Sequence, residues 1–95
     1  MLAYRNLGMI NRGEHPNHEA SQVKVFSTEL MQRLQQAGTK LLGPHGQLTP
    51  GSERAPLGGR IEQGYLAAVM PTFGAGSNEV MRTIIATRGF GLPRA

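Results

Sequence analysis

The stretch His18–Leu42, "HEASQVKVFSTELMQRLQQAGTKLL", decides the fold. Its apolar residues Val23, Phe26, Leu30, Leu34, Ala37 and Leu41 follow one another at spacings of three, four, four, three and four. That is the period of a single helical face. At 1.5 Å per residue such a helix is roughly 35–40 Å long. Asn17 is placed to cap its first turn, and Gly43-Pro44 stops it. One apolar stripe cannot be satisfied by the helix that carries it. The stripe residues are therefore expected in the core of a helical bundle.

The flanks read the same way. "MLAYRNLGMI" (Met1–Ile10) carries Leu2, Leu7, Met9 and Ile10 in helical register and ends near Arg12-Gly13. No cap residue precedes it, so the chain begins already in pattern. "GEHPN" follows as a turn. Gly43–Gly59, "GPHGQLTPGSERAPLGG", is a glycine- and proline-rich loop, long enough to suggest a function or a packing partner. A third helix is expected from about Leu57 to Met70, with Leu57, Ile61, Tyr65, Ala68 and Val69 inward and Pro71 closing it. A fourth is expected from about Asn78 to Arg88, with Val80, Ile84 and Thr87 on one side and Gly89, Gly91 and Pro93 beyond. Four helical pieces, no convincing strand and no internal repeat make an all-α chain, read as one domain over residues 1–95.

Composition narrows the function classes. Ninety-five residues suffice for one small domain, with 39% hydrophobic residues, 5% aromatics and no Trp. The net charge of +4 raises nucleic acid as a partner, but its Lys and Arg residues stand singly, with no basic run and no aromatic interleaving. The expectation is no nucleic-acid binding. No Cys is present, which excludes disulfides and thiolate zinc sites. His15 and His18 flank Pro16, and His45 is remote, so no metal site is expected. No run approaches the ~18 apolar residues of a membrane span, and no signal peptide is visible. The expected location is the cytoplasm.

The stretch Phe73–Arg94, "FGAGSNEVMRTIIATRGFGLPR", holds the candidate site. Glycines before a helix let the backbone approach a ligand, and its first N–H groups are free donors. Ser77 or Asn78 can instead cap the helix, with Glu79 suited to its first turn. The Lys-Ser/Thr pair of a phosphate loop is missing, and so are the strand and third glycine of a dinucleotide fingerprint. By spacing alone, a plain helix cap is the simpler reading.

This stretch resembles the C-terminal signature of acyl-CoA dehydrogenases, a Gly-Gly-Thr-Asn-Glu-Ile/Val-x-Arg-x-x-Ile-Ala segment followed by Gly-Leu-Pro-Arg. Ser77 stands at the usual Thr, while Asn78, Glu79, Val80, Arg82, Ile84, Ile85 and Ala86 match. "ASQVKVFSTELMQRLQQAGTKLLGPHG" is similar to the family's Ala-Ser-x-x-Lys long helix with its Leu-Gly-Gly-x-Gly turn. The tract from Leu48 to Glu79 resembles the longer-loop branch common in actinobacteria. The likeness covers nearly the whole chain in the right order. It implies an incomplete up-down four-helix bundle, the last part of the family's C-terminal domain.

The resemblance also implies FAD as cofactor, met by Ser77, Asn78 and Glu79, with Leu42 and Gly43 contacting the FAD of a neighbouring subunit. Gly76 would lie against substrate. Lys40 replaces a frequent Gln, and Pro44 replaces a glycine that could have donated an N–H. The implied chemistry is α,β-dehydrogenation of an acyl-CoA thioester from fatty-acid or sterol-type lipid, in a homo- or hetero-oligomer. A Glu base takes the α-proton. In one branch it lies at the position of Ala75, which cannot accept a proton, and in others on a bundle helix that this sequence does not match. The expectation is a C-terminal fragment, inactive alone. Two other readings stand beside it: a small helical binding subunit docking on a partner dehydrogenase, and a basic interaction module.

Overall fold

The computed structural model describes residues 1–94. Its four α-helices are α1 (Leu2–Asn11), α2 (His18–Leu42), α3 (Arg60–Ala67) and α4 (Asn78–Ile84), and no strand occurs among the described residues. The bounds of α2 are those its apolar spacing predicts. The chain divides into two compact units, one of residues 1–27 with 75–94, the other of residues 28–74.

In the first unit, polar side chains tie distant segments together. Glu19 is buried at the start of α2, where its carboxylate accepts from the Asn17 backbone N–H at 3.2 Å. Its own backbone N–H holds the Glu19 carboxyl below the usual range; burial opposes this, while Asn17, His18 and Arg5 assist. Nη2 of Arg5 lies 3.9 Å and Nε2 of His18 3.3 Å from its Oε1. Arg88 donates to Oδ1 of Asn17 at 2.8 Å across 71 positions. Asn17 thus precedes α2 as expected, with its side chain engaged by the far end of the sequence.

The second unit is built on close approach. A Cβ on Gly38 would sit 3.4 Å from Cδ1 of Ile61, and one on Gly64 would meet the Gln35 amide at 2.6–2.8 Å. Gly46 is buried against the last turns of α2, where a Cβ would come 2.9 Å from the Thr39 carbonyl. Ala68, 5% exposed, is the buried apolar residue of this unit.

Three sequence expectations are corrected. The stripe of α2 is not core in this chain: Phe26 is 61%, Leu34 56% and Leu41 87% exposed, and Leu30 is also exposed. Helices of ten, eight and seven residues are too short to cover one of 25. The third helix starts at Arg60 rather than Leu57, because Leu57, Gly58 and Gly59 take left-handed backbone in a tight turn over Pro56–Gly59. It ends at Ala67, and Met70–Thr72 forms a separate 3-10 turn. Pro71 cannot donate to the Ala67 carbonyl and its ring would crowd it. Leu57, Tyr65 and Val69, expected inward, are exposed. The fourth helix widens after Ile84 into a π turn over Ile85–Gly89, and Val80 on it is exposed.

Candidate functional site

The segment Gly74–Glu79 leaves the 3-10 turn at Met70–Thr72 and enters α4. Ala75 and Gly76 both adopt left-handed backbone, with φ of +54° and +96°. For Ala75 that is a strained conformation. At Gly76 the positive φ favours glycine; a Cβ there would also displace Cε of Met81, the end of a flexible side chain that can move aside.

Ser77 is the cap. Its backbone is extended and its hydroxyl accepts from the Val80 N–H at 3.3 Å. Asn78, 4% exposed, opens α4 with its side chain turned into the unit. Glu79 is exposed, and its carboxyl is held below the usual range, first by its own backbone N–H, then by the Ser77 hydroxyl, with Arg82 and Lys24 assisting against slight desolvation. The site thus presents an ionised acceptor beside a capped helix start. Cap and ligand-facing loop are compatible: Ser77 caps, and Glu79 faces outward.

Lys24 was not among the residues singled out by the sequence. Its ammonium donates to the Gly76 carbonyl at 2.6 Å and to Oδ1 of Asn78 at 2.8 Å. The available signal was the Ala-Ser-x-x-Lys pattern on α2, whose lysine is Lys24.

The other implied contact, Leu42 and Gly43, falls in the second unit. Leu42 ends α2 half-buried, and Gly43 turns the backbone with φ +59° into the 3-10 turn Gly43–Gln47, which contains Pro44. Beside this turn lies an open groove of about 480 Å³ lined by Lys40, Gly46, Gln47, Glu62, Tyr65 and neighbours on α2 and α3. Leu42 and Gly43 are not in its lining; Lys40 and Gly46, close to them in sequence, are. The groove brings one ammonium, one carboxylate, one phenol and amide groups to a single opening. Among the described residues no group of three His, Cys, Asp or Glu could hold a metal, and no helix is long and apolar enough to cross a membrane.

Comparison with known proteins settles the family. The profile of the acyl-CoA dehydrogenase C-terminal domain matches residues 1–90. The chain belongs to the acyl-CoA dehydrogenase family. It is 40% identical over 94 residues to the acyl-CoA dehydrogenase FadE26 of Mycobacterium tuberculosis, covering 99% of this chain and 23% of that protein. Among solved structures it is similar to the steroid acyl-CoA dehydrogenase Tcur3481–Tcur3483, with a TM-score of 0.91, 35% identity, and coverage of 99% of this chain and 24% of that one. It is also similar to the ChsE4–ChsE5 complex of Mycobacterium tuberculosis, with a TM-score of 0.85, 38% identity, and coverage of 99% and 25%. The chain therefore spans about a quarter of the length of these family members. It corresponds to their C-terminal helical domain, and the all-helical structure agrees with that.

Proposed function

We propose that this chain is one part of an FAD-dependent acyl-CoA dehydrogenase that oxidises the α,β bond of an acyl-CoA thioester, of fatty-acid or sterol type, in the cytoplasm. Residues 1–95 form a single partial domain in this reading. The part contributes cofactor contacts and subunit packing. The single observation that carries the proposal is the family match over residues 1–90, which includes the Gly74–Glu79 loop.

The residues present fit the hydrogen-donating portions of FAD. Glu79, ionised and exposed, is an acceptor for ribityl or ribose hydroxyls or for an adenine amino group, and is ill suited to pyrophosphate. Ser77 and Asn78 shape the ground on which Glu79 stands. Leu42 and Gly43, with the groove beside them, are proposed to meet the FAD of a neighbouring subunit. When bound, FAD supplies the acceptor for the hydride that leaves the β-carbon.

The chain's own residues position and do not abstract. Ala75 carries only a methyl group where one branch of the family has its carboxylate, so the α-proton goes to a base elsewhere in the assembly. Gly76 is proposed to lie against substrate, where the absence of a side chain leaves its methylene face open. The apolar face of α2, with Phe26, Leu30, Leu34 and Leu41 exposed, is proposed to be covered by other helices of the bundle or by a partner subunit. The ChsE4–ChsE5 complex among the solved relatives supports a homo- or hetero-oligomer.

The test is Glu79→Ala in the whole protein. Flavin content per chain after purification should fall several-fold. Full retention of FAD would remove Glu79 from the cofactor site.

A further inference from the structure

We infer that Lys24 is a positioning residue that holds the Gly74–Glu79 loop in its cofactor-receiving shape. The inference rests on the proposed cofactor role of that loop and adds a residue on a different helix to it.

The argument begins with the loop. Two consecutive residues, Ala75 and Gly76, lie in left-handed backbone, and the alanine does so against its intrinsic preference. Such a conformation persists only where its surroundings impose it. The α4 side supplies one restraint, the Ser77 cap. A cap fixes the helix start and leaves the residues before it to other contacts. Lys24 provides the contact on that side. Its ammonium donates 2.6 Å to the Gly76 carbonyl, immediately after the strained alanine, and 2.8 Å to the Asn78 side chain, immediately past the cap. The two bonds straddle Ser77. Each involves a charged donor, the stronger class of hydrogen bond.

The chemistry of the residue suits this task. An ammonium carries its donors tetrahedrally on one atom and can reach two acceptors that are not coplanar. A guanidinium presents a planar fork matched to a carboxylate. Asn78 is 4% exposed, so its Oδ1 is removed from water and gains from a fixed cationic partner. Lys24 sits on α2, 52 and 54 positions away, so the loop is referenced to the long helix instead of to its own short neighbours. The Ala-Ser-x-x-Lys and Ser-Asn-Glu motifs, separate in sequence, are the two halves of one clamp.

The experiment uses the full chain in its native assembly, with Lys24→Met, Lys24→Arg and, as control, Arg88→Ala, which breaks the Asn17 link without touching the loop. Amide hydrogen exchange over Ala75–Val80 is read in flavin-free protein, and FAD affinity and the visible flavin spectrum in loaded protein. Lys24→Met should speed loop exchange about tenfold or more, weaken FAD about three- to tenfold and alter the flavin spectrum. Lys24→Arg should recover part of each, and Arg88→Ala should leave spectrum and affinity near wild type. Unchanged loop exchange in Lys24→Met overturns the inference whatever the flavin does. Faster exchange with unchanged FAD affinity and spectrum overturns it too, as does an Arg88→Ala effect equal to that of Lys24→Met. A wild-type protein that takes up no FAD defeats the cofactor reading itself; the exchange arm then decides alone whether Lys24 sets the loop.

Discussion

The two units of the chain solve the same problem by opposite means. Residues 1–27 with 75–94 are cross-linked by charge-assisted and polar bonds over long sequence distances: Lys24 to Gly76 and Asn78, Arg88 to Asn17, Arg5 to Glu19. Residues 28–74 approach closely where side chains are missing: backbone lies against Gly46 and Gly59, and the Ile61 and Gln35 side chains lie against Gly38 and Gly64. A polar clamp depends on what is present, and a glycine contact on what is absent. The first tolerates changes of volume around it but not loss of a donor. The second tolerates loss of polarity but not a methyl group added where the neighbour is backbone.

The sharpest way to break that contrast is Gly59→Ala. Gly59 has φ +78°, and a Cβ there would lie 2.5 Å from the Pro50 backbone N and 2.8 Å from its Cα, atoms that cannot swing aside. Left-handed backbone and overpacking together should cost about 3 kcal/mol or more. A denaturant titration of the whole protein would read it, and a midpoint within error of wild type would show that the turn relaxes freely.

Gly64→Ala refines the contrast, because there the obstacle is a side chain. A Cβ would meet the Gln35 amide at 2.6–2.8 Å, while a helix-interior alanine is preferred over glycine by about 1 kcal/mol. Alone, the substitution should be neutral to destabilising by about 1 kcal/mol. Combined with Gln35→Ala it should turn stabilising by about 0.5–1 kcal/mol relative to Gln35→Ala itself. The same sign in both backgrounds would mean that Gln35 is not the obstacle.

The smallest effect expected belongs to the polar unit. Glu79 has its folded-state carboxyl below the ordinary carboxylate value of 4.5. Its contribution is fully present above that value and is lost as pH falls through the lower, folded one. Glu79→Gln should therefore lower stability slightly near neutrality and lose that difference as pH falls through the folded value, which flattens the acid limb. A difference that persists undiminished into strong acid would contradict the assignment.

The legible part of the fold was the part with local causes. The spacing of Val23 to Leu41, with Asn17 before it and Gly43-Pro44 after it, bounded α2 from His18 to Leu42. The same spacing gave the direction of the stripe and not its burial, because burial depends on neighbours the sequence period does not describe. Leu57 read as the first turn of a helix; its φ of +53° is a turn conformation that no leucine advertises. Ile84 and Thr87 continued an α pattern, and the widening to a π turn over Ile85–Gly89 is a change of hydrogen-bond partner that side-chain types do not encode. In the site, Ser77 was legible as a cap and Ala75 as a position unable to take a proton. Lys24 stands in a legible motif, but its role is not local, because its partners lie 52 and 54 positions downstream.

That separation also orders events in time. The two ends of the Arg88–Asn17 link leave a ribosome 71 residues apart. At synthesis rates of about 5–20 residues per second, the first turn of α2 waits roughly 4–14 s for its counterpart. The contacts at Gly38, Gly46, Gly59 and Gly64 fall within a shorter span and need no such wait. Residues 28–74 can therefore settle during synthesis, while Lys24 waits for Gly76 and Asn78 until the intervening residues have been made.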